Sequence, residues 1–98
     1  MIFSIIVCTF NRSFYLNKCL VSLINQISTY EEIIIIDNNS SDDTKRVVDS
    51  FSSKLPKVRY FFEPKIGLSH ARNRGAKEAN GDWLLYIDDD AIAFPNLL

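Results

Sequence analysis

Three consecutive aspartates, Asp88, Asp89 and Asp90, follow directly on the apolar run Trp83 to Ile87. Carboxylates so placed repel one another, and no neighbouring run of Lys or Arg neutralises them, so they cost stability unless a cation sits among them. Side chains alternate along an extended segment, which points Asp88 and Asp90 one way and Asp89 the other. Mg²⁺ or Mn²⁺ is the natural partner, because hard cations take oxygen ligands and Mg²⁺ is commonly held by one or two carboxylates plus substrate phosphates. The competing reading is an acidic start to a solvated loop, and composition alone does not separate the two.

A second polar cluster, Asp37 to Ser41, reads either as an Asx-rich turn leading into a helix or as a loop that recognises a base. In the second case an amide or carboxylate oxygen accepts the imide N–H of uracil or thymine. Phe10, within a third cluster Thr9-Phe10-Asn11-Arg12, covers the ring by stacking. Arg72, Arg74 and Lys65 gather around a helix start, where a phosphate-bearing ligand finds both cations and free amides; arginines on a helix equally form a solvated face. His70 has no evident partner and reads as a packing or surface residue. Cys8 and Cys19 form neither a CxxC pair nor a metal spacing, and with His70 the single histidine, a zinc site or a Ser/His/Asp triad finds no support. Both cysteines read as small buried hydrophobes.

These clusters need elements to position them. Met1 to Cys8 is a nearly continuous apolar run, the pattern of a strand covered on both faces. Ser13 is placed to cap a helix whose apolar residues Leu16, Leu20, Leu23 and Ile27 recur at helical spacing. Glu31 to Asp37, with four consecutive isoleucines, predicts a second buried strand ending on a carboxylate. Asp42 and Asp43 favour the start of a second helix with Val47, Val48 and Phe51 on its apolar stripe. Lys57 to Phe62 predicts a third, edge-like strand. After it, Ser69 caps a helix whose Ala71, Gly75 (or Ala76) and Ala79 form a small-residue face, with Gly81 at its end. Trp83 to Ile87 is the fourth strand. The alternation predicts an α/β fold, a Rossmann-like half with a mostly parallel sheet in the order 3-2-1-4 flanked by helices. Ligands bind such sheets outside the carboxyl ends of the strands at the switch point, where all three clusters then meet.

The chain has 98 residues, 47% apolar and 23% charged, with 11 Lys and Arg against 12 Asp and Glu. That profile suits one globular domain, and it excludes disorder and gives no electrostatic support for a nucleic-acid partner. No apolar run approaches the ~20 residues of a membrane span, and Met1 opens no secretory signal, so the cytoplasm, up to the inner face of the membrane, is the expected compartment. An exposed fourth-strand edge would invite self-association.

Ile5 to Arg12, Asn25-Gln26 at the end of the leucine-rich helix, Ile35 to Asp42, Gly67 to Gly75, and Gly81-Asp82-Trp83 with Asp88-Asp89-Asp90 together resemble the ordered signatures of family 2 glycosyltransferases with the GT-A fold. Five blocks across the whole chain make the resemblance far more specific than any single motif. It implies inverting, metal-assisted transfer of a sugar from a nucleotide-diphosphate donor, UDP or dTDP, to an unknown acceptor, a glycan or a lipid-linked sugar, as in cell-surface polysaccharide biosynthesis. Asp88-Asp89-Asp90 would be the DxD motif, with Asp90 holding Mn²⁺ or Mg²⁺ and Asp88 sharing the ion or approaching the ribose. Thr9, Phe10, Asn11 and Arg12 would line the base pocket, Asp37 and Asn38 contact the base, and Arg72 and Asp89 lie near the donor. Cys8 stands where the family usually has proline, and Asn38-Asn39 replaces the commoner Asp-Gly. The resemblance also implies that residues 1–98 are the donor-binding part, with the acceptor half and the catalytic base downstream of Leu98. Two other classes compete. One is a nucleotide-binding or regulatory module without transferase activity. The other is an acid-pocket receiver domain, which would need a phospho-accepting Asp closing the third strand, where this chain has Phe61-Phe62-Glu63-Pro64.

Overall fold

In the computed structural model, which describes residues 3–24, 32–51 and 57–91, the two isoleucine-rich runs lie side by side. β1 (Phe3–Thr9) and β2 (Glu32–Asp37) pair in parallel, with Ile5 against Ile33, Ile6 against Ile34 and Thr9 against Asp37. Alternation sends Ile5, Val7, Ile33 and Ile35 to one layer, where they meet Leu16, Cys19, Leu20 and Leu23 of α1 (Ser13–Ile24), Val48 of α2 (Thr44–Ser50) and Phe51. Ile6, Ile34 and Ile36 go to the other, against Ala71 of α3 (Leu68–Glu78). Both faces are covered, so these strands read as unbroken apolar runs. β3 (Val58–Phe62) pairs with β2, and β4 (Trp83–Asp88) with β1. The sheet is parallel throughout in the order β3-β2-β1-β4, as expected. Trp83, Leu84 and Tyr86 of β4 are exposed, and among the described residues no helix is long and apolar enough to cross a membrane.

Element boundaries differ from the sequence pattern where backbone geometry outweighs side-chain preference. Ser13 does not cap α1 but begins it; the Arg12 carbonyl accepts the Leu16 N–H at 2.9 Å, and the Ser13 N–H donates to Asp42 at 3.1 Å. At α2, Asp43 is the N-cap residue without a side-chain cap bond, while the Asp42 carboxylate accepts the Thr44 N–H at 3.1 Å. α3 is preceded by Gly67 rather than capped by Ser69, because the chain turns there at φ 140°, a value side chains rarely permit. Its C-cap is Ala79 in an extended conformation, not Gly81, whose N–H donates to Ser4 Oγ at 2.8 Å. Met1, Ile2, Ile27 and Glu31 lie outside the described residues. The small-residue face is borne out: Ala71 and Gly75 are buried, whereas Ala76 is exposed. A Cβ on Gly75 would come within 2.5 Å of Ile6 Cγ2, so α3 rests directly on β1.

The amino ends of the strands are closed by a buried carboxylate. Glu32 accepts hydrogen bonds from Ser4 Oγ (2.6 Å), the Asn80 N–H (2.7 Å) and the Arg59 guanidinium (2.8 Å). Arg59 also donates to the Glu78 carbonyl at 2.9 Å. Burial by itself raises the Glu32 pKa, but the three donors outweigh it and hold the carboxyl below its ordinary value.

A carboxyl depressed in the folded state stabilises the protein above its unfolded pKa of about 4.3, and that contribution is lost as pH falls through the folded value. Glu32→Gln is therefore expected to cost about 2 kcal/mol at pH 7 and to flatten the loss of stability below about pH 4. Urea melts across pH check this, and an acid limb identical to wild type would contradict it. Gly75→Ala is expected to destabilise by about 1–3 kcal/mol by forcing α3 off Ile6; an unchanged urea midpoint would show that the close approach is not required.

Candidate functional site

The parallel register carries the ends of β1, β2 and β4 to one rim of the sheet. The Asn38 N–H donates to the Thr9 carbonyl at 2.9 Å, one rung beyond the β1–β2 ladder. On the other side Cys8 lies opposite Asp88, which brings Thr9 beside Asp89. Thr9 Oγ1 donates to Asp89 Oδ2 at 3.0 Å, and both residues are buried. Arg12 then reaches Asp89 Oδ1 and Asp90 Oδ2, each at 3.2 Å.

Arg12 corrects one expectation about the acidic triplet. No cation is near the three aspartates in sequence, yet Arg12, 78 residues before Asp90, is ion-paired with two of them. The strict alternation also lapses, because Asp89 and Asp90 belong to a turn in which the Ala91 N–H donates to the Asp88 carbonyl at 3.0 Å. The outcome is nevertheless one buried carboxylate, Asp89, between two exposed ones, Asp88 and Asp90. Burial raises the Asp89 pKa, the Thr9 hydrogen bond and the Arg12 charge oppose the rise, and the flanking aspartates add to it. Among the described residues the Asp88 carboxylate has no hydrogen-bond or ion-pair partner.

Asn11 joins the loops after β1 and β2. At a positive φ of 52°, its Oδ1 accepts the Ser41 N–H at 2.7 Å and the Asp42 N–H at 3.3 Å, and its own N–H donates to Ser40 Oγ at 2.9 Å. Asp37 is buried; one oxygen accepts the Ser40 N–H at 2.9 Å and the other the Tyr60 hydroxyl. Burial, then the Asp37 carboxylate, pushes the Tyr60 hydroxyl far above its ordinary pKa, so it stays protonated and donates.

Between these loops and α3 lies a cleft of about 470 Å³. Thr9, Phe10, Asn11, Arg12, Asn38 and Asp89 line it, with Cys8 and the apolar Leu68 and Ala71. Asp37 is not among the residues that line it. Arg72 and Asp88 line an adjoining recess with Cys8, where the Arg72 guanidinium stacks 5.5 Å from the Tyr86 ring centroid. Sequence placed Lys65 and Arg74 near the same ligand, but they border a separate polar groove with the exposed His70, and Arg74 is held by Glu63 and Glu78. Cys19 is buried as expected whereas Cys8 is only half-buried. Burial pushes their thiols up to about 12 and about 11, so neither is a ready nucleophile. Tyr60 and Leu68 were not singled out by sequence, since an aromatic in a strand and a leucine at a helix start carry no signal of a polar site. Among the described residues, no group of three or more His, Cys, Asp or Glu is gathered to hold a metal.

Arg12→Ala is expected to raise the Asp89 pKa further, seen as an upward shift of its side-chain carboxyl ¹³C titration. Because a raised carboxyl pKa penalises the folded state above that value, about 1 kcal/mol lost near neutrality should be regained as acid protonates Asp89. An unmoved Asp89 titration would show that Arg12 does not govern its charge.

Proteins of known sequence and structure resemble this chain. A GalNAc(5)-diNAcBac-PP-undecaprenol beta-1,3-glucosyltransferase of Campylobacter jejuni is 40% identical over 89 residues, covering 89% of this chain and 29% of the relative. The crystal structure of S. aureus TarS 1-349 in complex with UDP superimposes with a TM-score of 0.82 at 30% identity, covering 92% of this chain and 28% of that TarS fragment. A mannosyltransferase from Pyrobaculum calidifontis, solved with GDP-Man and Mn²⁺, has the same fold, with a TM-score of 0.80 at 24% identity over 92% of this chain and 28% of its own. The chain thus spans under a third of each of these three proteins. Its sheet order is that of the GT-A fold, and with residues 4–98 matching the sequence profile of glycosyl transferase family 2, the chain belongs to that family.

Proposed function

We propose that this chain carries the donor site of an inverting glycosyltransferase, binding a UDP- or dTDP-sugar in the cleft between the β1 loop and α3. The observation that carries the reading is the convergence of Thr9 to Arg12, Asp37 with Asn38, and Asp88 to Asp90 on one rim. TarS, the 30% identical structure, was solved with UDP, which supports a uridine nucleotide here. Phe10, exposed at the mouth of the cleft, offers a ring face to the base, with Thr9, Asn11 and Asn38 forming the surrounding wall. Arg72, beside Asp88 in the adjoining recess, is the cation placed for a diphosphate or the sugar.

The acidic residues suit a divalent ion. The Asp88 carboxylate is unpartnered among the described residues, and the exposed Asp90 carboxylate pairs with Arg12. Two exposed carboxylates plus the oxygens of a bound diphosphate form the hard-donor set that Mg²⁺ or Mn²⁺ takes, so a third protein ligand is not required. Asp90 and Asp88 would hold the ion, which when bound supplies charge neutralisation for a departing diphosphate. Asp89 instead serves the fold, through Thr9 and Arg12. Deprotonating an acceptor hydroxyl requires a base facing the sugar. We place that base, and the acceptor site, beyond the residues that make up this rim.

UDP with Mn²⁺ is expected to stabilise the protein by ~2.7 kcal/mol at 100 times its dissociation constant, a rise of several degrees in Tm. The rise should vanish in Asp90→Asn, shrink in Phe10→Ala, and be larger for UDP or dTDP than for ADP. Melting unmoved by millimolar UDP, dTDP and GDP with Mn²⁺ in a folded sample would overturn the donor-site reading.

A further inference from the structure

We infer that Tyr86 is a positioning residue, which holds the Arg72 guanidinium off Asp88 and so keeps two opposite charges in one recess from cancelling each other. The proposal rests on the donor-site reading and identifies what keeps that site's cation and its free carboxylate available to a ligand. Arg72 and Asp88 line the same recess, together with Cys8 and Tyr86. Both charged side chains are exposed. Among the described residues they nevertheless form no ion pair, and neither the guanidinium nor the carboxylate has another hydrogen-bond or ion-pair partner. Opposite charges this near attract one another, and a long arginine side chain has the freedom to swing across. A contact that restrains Arg72 is therefore needed to leave both groups unspent.

Tyr86 supplies it from the strand beneath. The parallel register sets Tyr86 opposite Ile6 and Asp88 opposite Cys8, and Ile6 and Cys8 both pack on the α3 side with Ala71. Alternation puts Tyr86 and Asp88 on that same side, one side-chain step apart. The Tyr86 ring centroid lies 5.5 Å from the Arg72 guanidinium, within the range of a cation–π contact. Its hydroxyl donates to the Arg72 carbonyl at 3.2 Å. One tyrosine thus holds both the side chain and the backbone of one arginine. The choice of an aromatic partner has a chemical consequence, because a ring attracts a cation through its quadrupole and carries no net charge to neutralise it. An Arg72–Asp88 ion pair would instead withdraw the cation from an incoming phosphate and the carboxylate from an incoming divalent ion.

The test compares wild type with Tyr86→Leu, measuring Mn²⁺ alone by electron paramagnetic resonance and inorganic pyrophosphate alone by calorimetry. Tyr86→Leu is expected to weaken both about fivefold, the scale of one cation–π contact. Tyr86→Phe, which keeps the ring and loses the hydroxyl, should recover most of each loss. Adding Arg72→Gln to Tyr86→Leu should restore Mn²⁺ affinity, since nothing then covers Asp88, while pyrophosphate stays weak; general damage to the rim would give no such restoration. In the ligand-free protein, the Arg72 Nε–H signal in ¹H–¹⁵N spectra should move in Tyr86→Leu and move back when Asp88→Asn is added. Tyr86→Ile stands in if Tyr86→Leu does not fold. Mn²⁺ affinity unchanged in Tyr86→Leu, or lost without restoration by Arg72→Gln, overturns the proposal. If wild type binds neither Mn²⁺ nor pyrophosphate, it is the donor-site reading that fails; the Arg72 signal then decides the role of Tyr86 alone, with an unmoved signal overturning it.

Discussion

One buried contact between residues 80 apart in sequence, the Thr9 hydroxyl donating to the Asp89 carboxylate at 3.0 Å, fastens the end of β1 to the end of β4, and the geometry of the rim depends on it. Three consecutive carboxylates cannot all face the same water-exposed space without mutual repulsion. Turning Asp89 inward onto Thr9, with Arg12 over its other oxygen, removes the middle charge from the surface and leaves Asp88 and Asp90 outside. The cost is a carboxylate whose burial opposes its own ionisation. The parallel pairing of Cys8 with Asp88 brings Thr9 and Asp89 close enough to meet.

The two ends of the sheet differ in how fully their polar groups are paired. At the amino ends, Ser4, Glu32, Arg59 and the backbone of Asn80 and Gly81 make a closed network in which each Glu32 oxygen is engaged by strong donors. At the carboxyl ends, backbone and amides are satisfied, as with Asn11 between Ser40, Ser41 and Asp42, while charge is left over at Asp88 and aromatic surface at Phe10. Unspent polar and apolar surface beside rigid strands is what a ligand needs, and it costs little stability because the opposite end and the isoleucine layers hold the fold.

Much of this was legible in the sequence, for local reasons. The runs Ile5 to Cys8 and Ile33 to Ile36 announce doubly covered strands, and the alternation with helices leaves few topologies, so the 3-2-1-4 order and the meeting of the three clusters followed. What escaped is long-range. The Arg12 bridge to Asp89 and Asp90, the Tyr60 hydroxyl on Asp37 and the hydrogen bonds of the Asn38 side chain to Glu63, Lys65 and Gly67 each join groups at least 23 residues apart. Spacing carries no signal for such pairs. Ser69 as a helix cap failed for a related reason: the serine preference is local, but the turn is decided by Gly67, whose amide is fixed from Asn38.

The central claim is that a nucleoside diphosphate and a divalent ion occupy the carboxyl-end rim. A ¹H–¹⁵N NMR titration of the labelled protein with UDP and Mg²⁺ addresses it residue by residue. The account predicts shifts concentrated at residues 9–12, 37–41, 67–72 and 88–90, with the Glu32 end of the sheet unmoved. Shifts centred on residues 32, 59 and 80, or no shifts at saturating UDP and Mg²⁺, would contradict it.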